Sequence, residues 1–155
     1  MPDDVPDVLP MVAKVCAFHE KLDPAKYGFL PNPERRYDAW LRSRAKDARS
    51  VFLVAEREVP GDERGRLVGF IVGTVEPEIG IYRVKEFGFL HDLWVEPEYR
   101  NEGVARQMVT LAVEQFRAIG VPQVRLDVAY GNEPAKGLFA ACGFRASIVE
   151  MLVEL

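Results

Sequence analysis

An apolar run from Phe87 to Val95 is followed by a turn, a long helical pattern from Gly103 to Ile119, and an alternating segment from Val124 to Ala129. This order of periods constrains the fold more than any other feature. A buried strand, an amphipathic helix and a second strand make a β-α-β unit, with the helix covering one face of a sheet. Val104, Met108, Leu111, Ala112 and Phe116 form the apolar stripe of that helix, and Gly120-Val121-Pro122 ends it. Upstream, Val51 to Glu58 and Leu67 to Val75 are β-branched and strand-like. The Gly- and Pro-containing stretch from Pro60 to Gly65 separates them, which predicts a hairpin. Two helices precede the hairpin. The first runs from Asp4 to about Glu20 on the stripe Val8, Leu9, Val12, Val15 and Cys16, with Pro10 predicting a late start or a bend. The second runs from the N-cap sequence Asn32-Pro33-Glu34 to about Arg49. Leu22 to Pro31 and Glu76 to Lys85 read as loops, Pro134 to Ala141 as a short helix and Ser147 to Leu155 as a last strand. The expected fold class is therefore α/β (α+β): a single domain over residues 1–155, with a mixed, mostly antiparallel sheet flanked by helices.

Composition removes several function classes. Hydrophobic residues make up 48% of the 155-residue chain and charged residues 28%, too apolar for a disordered protein. No apolar run is long enough to span a bilayer, and the acidic start Met1-Pro2-Asp3-Asp4 does not resemble a secretory signal. With two cysteines, Cys16 and Cys142, the expectation is reduced thiols and a cytoplasmic location. A net charge of −4 argues against general affinity for nucleic acid or an anionic membrane. His19 and His91 stand apart from each other, and neither an H-E-x-x-H nor a C-x-x-C motif occurs, so no metal site is expected. The serine-hydrolase elbow, the dinucleotide glycine motif and the P-loop are all missing from the sequence.

The informative stretch is Leu93-Trp94-Val95-Glu96-Pro97-Glu98-Tyr99-Arg100-Asn101-Glu102-Gly103-Val104-Ala105-Arg106. A strand ends at Val95 and a helix begins near Gly103. The first amides of a helix lack internal partners and carry partial positive charge, so such a terminus can receive phosphate oxygens. Gly103 leaves room for a ligand near the backbone, Ala105 is nearly as small, and Arg100 and Arg106 can add charge-assisted hydrogen bonds. A plain strand-turn-helix with small residues satisfies the same pattern, and physics alone leaves both readings open.

Val95-x-Pro97-x-x-Arg100-x-x-Gly103-x-Ala105, followed by a long amphipathic helix, resembles the acetyl-CoA signature of the GNAT acyltransferase superfamily. A second stretch, Asn132-x-x-Ala135-x-x-Leu138-Phe139-x-x-x-Gly143-Phe144, is similar to the family's later motif, and the element order before both agrees over nearly the whole chain. The resemblance implies a GNAT-like fold whose strands splay at a cofactor cleft, and acetyl-CoA as co-substrate. It implies that the amides of Arg100, Asn101, Glu102, Gly103, Val104 and Ala105, with Arg106 beyond, hold the pyrophosphate. Leu93, Trp94 and Val95 would offer strand edges to the pantetheine arm. Asn132 would bond the same arm, Lys136 would reach a phosphate, and Phe139 would line the cleft. For Asn132 a helix N-cap role is an equal reading and compatible with the first. Family domains begin with an edge strand, which here is absent, lies upstream, or survives as a rudiment in Met1 to Val5. Homodimers are frequent in the family, some through terminal strands, so a second copy of the chain is compatible with the sequence.

The implied activity is direct transfer of an acetyl group to a primary amine of a small molecule or peptide in a ternary complex. A lysine-like amine with a pKa near ~10.4 is mostly protonated at neutral pH, so a base helps. His91 and Asp92 are the catalytic candidates. Relatives resembling polyamine acetyltransferases carry glutamate where His91 stands, followed by an aspartate, and share the pattern Val128-Ala129-x-x-Asn132-Glu133-Pro134, in which this chain has Tyr130-Gly131 at the open positions. Histidine suits a base near neutrality; a hydrogen-bonded sheet histidine is the other reading. Alternation places His91 on one face of the strand, with Phe89 and Leu93, and Asp92 on the other, with Leu90 and Trp94. Asp92 would then be a structural or substrate-charge partner, and Glu96 would serve the turn or the active site. The family often has a tyrosine acid where this chain has Phe139, which cannot donate a proton; Tyr130 and Tyr99 are substitute phenols. That departure keeps a second function open, a catalytically weak acyl-CoA-binding sensor. Cys142 reads as a packed small residue.

Overall fold

The computed structural model describes the backbone of residues 1–155 and the side chains of all except residues 62–64. Its regular elements are α1 (Val5–Leu22), α2 (Pro33–Arg44), β1 (Val51–Val59), β2 (Asp62–Pro77), β3 (Glu86–Val95), α3 (Val104–Ile119), β4 (Val124–Leu126) and α4 (Glu133–Ala141). The strands form one four-stranded sheet in the order β1-β2-β3-β4. The first two pairings are antiparallel and β3–β4 is parallel, as a strand-helix-strand crossover requires.

Helices α1 and α2 cover one face of this sheet. Val5, Val8, Val12 and Leu41 are fully buried there with Phe70 and Val72 of β2. Helix α1 is continuous through Pro10, which lies on the exposed side while the valine stripe is buried. A proline inside a helix, through its lost hydrogen bond and its ring clash, costs about 3 kcal/mol, and each buried valine returns roughly 1.5 kcal/mol or more, so the stripe wins over the expected late start. Residues Pro2–Asp4 make a 3-10 turn rather than a rudimentary strand. The opposite face carries α3, with α4 beside it, over a core of Ile71, Leu90, Met108, Val109, Ala112 and Phe116. No helix among the described residues is long and apolar enough to cross a membrane.

Two glycines make room for the Phe116 ring. A Cβ on Gly88 would fall 2.7 Å from its ring carbons, and one on Gly73 would fall 2.9 Å from its Cζ. Gly88→Ala is therefore expected to destabilise the fold by about 1–3 kcal/mol through overpacking. In a chain of this size that lowers the melting temperature by roughly 2–4 °C per kcal/mol, which thermal unfolding followed by circular dichroism measures.

Several boundaries differ from the sequence pattern. Helix α2 stops at Arg44 because Asp47 takes hydrogen bonds from the Ser50 hydroxyl, at 2.7 Å, and from the Arg49 amide, at 3.0 Å, an arrangement that competes with helix continuation. Asn32 precedes α2 in the left-handed region at φ 54°, and its side chain makes no capping bond. The hairpin turn is Pro60-Gly61 alone, Val59 facing Asp62 across it, with Gly61 at φ +85°. Ser147 to Leu155 does not form a strand. Its apolar side chains are open to solvent, Met151 at 90% and Val153 at 79%, and its tie to the body is an ion pair between Lys26 and Glu150. A strand exists only against a partner edge, and the sheet ends at β4.

Candidate active site

The β2–β3 ladder contains the feature that builds the site. Val72 faces Asp92 and Gly73 faces Leu90, so His91 has no opposite residue and forms a bulge. Side-chain alternation breaks there. Leu90 and Leu93 join the α3 core, whereas Trp94 packs on the α1/α2 side. Asp92 meets Tyr37 of α2, and the His91 ring meets Trp40 of α2. His91 and Asp92 therefore stand side by side on the α1/α2 face, not on opposite faces as regular alternation required.

The His91 ring is held on three sides. Its Nε2 lies 2.6 Å from Thr74 Oγ1, and Thr74 in turn donates to Glu76 Oε1 at 2.5 Å. Trp40 and Phe89 make edge contacts at ring-centroid distances of 5.3 and 5.0 Å. Burial pushes the His91 pKa below the ordinary histidine value; the Asp92 and Glu76 carboxylates partly oppose this. Asp92 is moved the other way, its burial favouring the protonated acid against a 3.0 Å hydrogen bond from Tyr37 Oη. Tyr37 is pushed well above the usual phenol range by burial and by Asp92. Cys16, buried near the same aspartate, is pushed up to about 11 and remains a thiol. Thr74 and Glu76 were not singled out in the sequence, whereas Tyr37 and Trp40 read there as core positions of the second helix. The signal for the first two was present: Thr74 and Glu76 sit two apart at the end of an apolar strand, which places two polar groups on one face.

At the end of β3 the strands part. Pairing with β4 covers only Gly88–Val124, Phe89–Arg125 and Leu90–Leu126, so the β3 backbone from His91 to Val95 has no strand on that side. This is the expected splay, and it also explains why β4 stops at Leu126 instead of continuing to Ala129. Val95 leads through Glu96 into a 3-10 turn, Pro97–Tyr99. Glu96 is buried, bound to Lys14 of α1 at 2.6 Å and to the Trp94 indole at 3.3 Å, so it ties the turn to α1. Arg100 does not project from the turn: its Nε donates to the Val95 carbonyl at 2.9 Å and its guanidinium lies 4.6 Å over the Trp94 ring. Its own amide is taken by Pro97 O at 3.3 Å.

The amides that follow are free. Asn101 and Gly103 both have positive φ, 64° and 83°, and no side chain caps the start of α3. Among the described residues, the amides of residues 101–106 have no acceptor, the first helical bond being Gln107 N to Gly103 O at 3.0 Å. A Cβ at Gly103 would meet nothing within 4 Å. The first turn holds no acidic residue and does hold Arg106, exposed, where the helix dipole disfavours a cation. Glu102 is turned aside by Arg57 of β1 in a 2.8 Å ion pair, and the same guanidinium lies 5.7 Å from the Tyr99 ring centroid. Val104 and Ala105 pack inward against the α3 core. Arg57 was not anticipated, since nothing local to β1 reports a partner in the distant turn.

The second motif is placed as follows. Asn132 Oδ1 accepts from the Ala135 amide at 3.2 Å, so the N-cap role is real, and among the described residues its Nδ2 has no partner. Lys136 is paired with Glu133 at 2.8 Å and lies 4.5 Å over the exposed Tyr130 ring. Phe139 packs edge-on against Phe144, 5.7 Å between centroids, beside the α3 core. Cys142 packs on the same core. No cluster of metal-binding side chains occurs among the described residues.

Comparison with known proteins adds independent observations. Residues 15–144 match the profile of the Acetyltransferase (GNAT) family. An uncharacterized N-acetyltransferase from Archaeoglobus fulgidus is 34% identical over 111 residues, covering 72% of this chain and 69% of that protein. A mycothiol acetyltransferase from Propionibacterium freudenreichii subsp. shermanii is 30% identical over 116 residues, or 75% of this chain; the match spans only 36% of that longer protein. A mutant of the BH1408 protein from Bacillus halodurans superimposes with a TM-score of 0.82 at 20% identity, covering 100% of this chain and 96% of that one, which is a likeness of fold.

Proposed function

Since the chain belongs to the GNAT acetyltransferase family, we propose that it moves an acetyl group from acetyl-CoA directly to a primary amine, both substrates being bound together. The free amides of residues 101–106 carry this proposal. They gather at an uncapped helix start with open space at Gly103 and an uncompensated Arg106, a setting that fits a pyrophosphate. The unpaired edge of β3 from His91 to Val95 leads from that cradle to the bulge, so Leu93, Trp94 and Val95 would hold the pantetheine arm, with Asn132 Nδ2 across the splay. Phe139 would form part of the wall, and Lys136 would turn from Glu133 to reach a phosphate. When bound, acetyl-CoA supplies an acyl group already activated as a thioester. This chain's part is to place the amine and take its proton.

His91 is assigned the role of base. It borders the splayed edge, and burial keeps it neutral at physiological pH. Asp92 lies beside it, hydrogen-bonded by Tyr37 at the floor of the same face. Glu76 and Asp127, against Arg44, give the surroundings of His91 an acidic balance, and the Trp40 and Phe89 rings add aromatic surface. That combination favours a small cationic amine as acceptor. A second reading, an acyl-CoA sensor with weak catalysis, is favoured by Phe139, which lacks the hydroxyl that an acid for the departing thiol would need.

Calorimetric titration with acetyl-CoA, followed by a thiol-release assay over a panel of amines, tests both. Binding with amine-dependent release of free CoA is the expected result. Binding without release from any amine would favour the sensor, and no binding would overturn both.

A further inference from the structure

We propose that Thr74 and Glu76 are positioning residues for His91, a relay that fixes the imidazole in its Nε2–H tautomer and leaves Nδ1 as the basic atom. The catalytic part of this inference rests on the acetyltransferase reading above; the tautomer part does not. The Thr74 hydroxyl has one proton to give, and Glu76 Oε1 receives it at 2.5 Å. Toward His91 Nε2, 2.6 Å away, the same oxygen can then only accept. Nε2 must therefore carry hydrogen in the neutral ring, and the lone pair resides on Nδ1. Thr74 is buried, 4% exposed, so water does not offer its hydroxyl an easy substitute partner. Trp40 and Phe89 restrict the ring plane by their edge contacts.

The bulge makes this arrangement possible. A regular ladder would give His91 a partner residue on β2, whereas here the ring leans over β2 to the side where Thr74 and Glu76 project together. In the transfer, Nδ1 takes the proton the amine loses as its nitrogen bonds to the acetyl carbon, and the sulfur leaves with the electron pair of the C–S bond. The resulting imidazolium would then be stabilised by Glu76, whose carboxylate lies 3.8 Å from Nε2. The charged groups facing the ring are Asp92 on its own strand, Glu76 from β2, Arg44 from α2 and Asp127 just beyond β4. Only Glu76 reaches it through a hydrogen-bonded bridge.

The chain holds its own control. Its other histidine, His19, approaches the Val15 carbonyl with Nδ1 at 2.9 Å, which requires the opposite tautomer, Nδ1–H. Long-range nitrogen–proton correlation spectra of the ¹⁵N-labelled protein, with His91→Ala for assignment, should show one histidine of each tautomer. Thr74→Val should turn the His91 signals into a tautomer mixture. It should also lower the acid limb of kcat/KM by about half a pH unit or more and reduce kcat about tenfold, with KM for acetyl-CoA unchanged. Thr74→Ser, which keeps the hydroxyl, should restore all three, and Glu76→Gln should lower the acid limb in the same direction because an imidazolium-stabilising charge is gone. An Nδ1–H tautomer at His91 in the wild type, or a tautomer and pH profile unmoved by Thr74→Val, would overturn the relay. The ring signals are read without acetyl-CoA or amine, so an intact Nε2–H tautomer in a protein that acetylates nothing would sink the transferase reading and leave the relay standing.

Discussion

Gly103→Val is expected to weaken acetyl-CoA binding by 100-fold or more, about 2.7 kcal/mol, while the protein still folds. Two effects act together. Gly103 sits at φ +83°, where a β-branched residue is a steric outlier, and its missing Cβ leaves open space beside the amides of residues 101–106. If the backbone holds its conformation, the valine methyls fill the approach to those amides. If it relaxes to negative φ, the amides turn away from a common point. Strain of about 1–3 kcal/mol lowers the melting temperature by several degrees without unfolding a chain of this length. Gly103→Asn separates the two effects, since asparagine tolerates left-handed backbone but still occupies the space. It should melt closer to wild type and bind nearly as poorly. Wild-type affinity in a folded Gly103→Val protein, measured by calorimetry, would remove the phosphate cradle from this site.

The second large effect is kinetic. His91→Ala should reduce the transfer rate by roughly 10²–10³-fold, within the usual contribution of a positioned general base, and leave acetyl-CoA affinity unchanged. The pH dependence follows from burial. Because His91 is depressed below the ordinary histidine value, its neutral form persists to lower pH, and the acid limb of the wild-type profile should fall below about pH 6.5. That limb should vanish in His91→Ala. The same depression has a consequence for stability. The unfolded chain binds a proton at this ring more readily than the native one, so stability rises with pH through the window between the native and unfolded pKa values and is lost as pH falls through it. An acid limb that persists unchanged in His91→Ala would remove His91 from the mechanism.

How far the site was legible in the sequence depended on how local each feature is. The start of α3 was readable because its signals lie within a few residues: an apolar strand end, Pro97, Gly103, small residues, then a helical stripe. The N-cap at Asn132 was readable for the same reason. The relation between His91 and Asp92 was not. Adjacent residues on a regular strand point apart, and whether they do so here was decided by the register against β2, where Gly73 faces Leu90 and His91 is left over. The C-terminal segment shows the converse error. Its residues are apolar and in part β-branched, which reads locally as a strand, yet a strand is completed by its neighbour, and this segment pairs with none.

The sequence by itself determined the helices, the apolar faces of the strands and the anion-ready turn at Gly103, because hydrogen bonds within a helix or turn close between residues a few positions apart. The tertiary structure alone decided which groups meet at the bulge. Thr74 and Glu76 approach His91 across a strand pairing, and Tyr37 and Trp40 of α2 approach the same strand across a packed helix–sheet interface, 55 and 51 positions from their partners Asp92 and His91. Contacts of that kind follow from how whole faces pack, and no local spacing of residues encodes them.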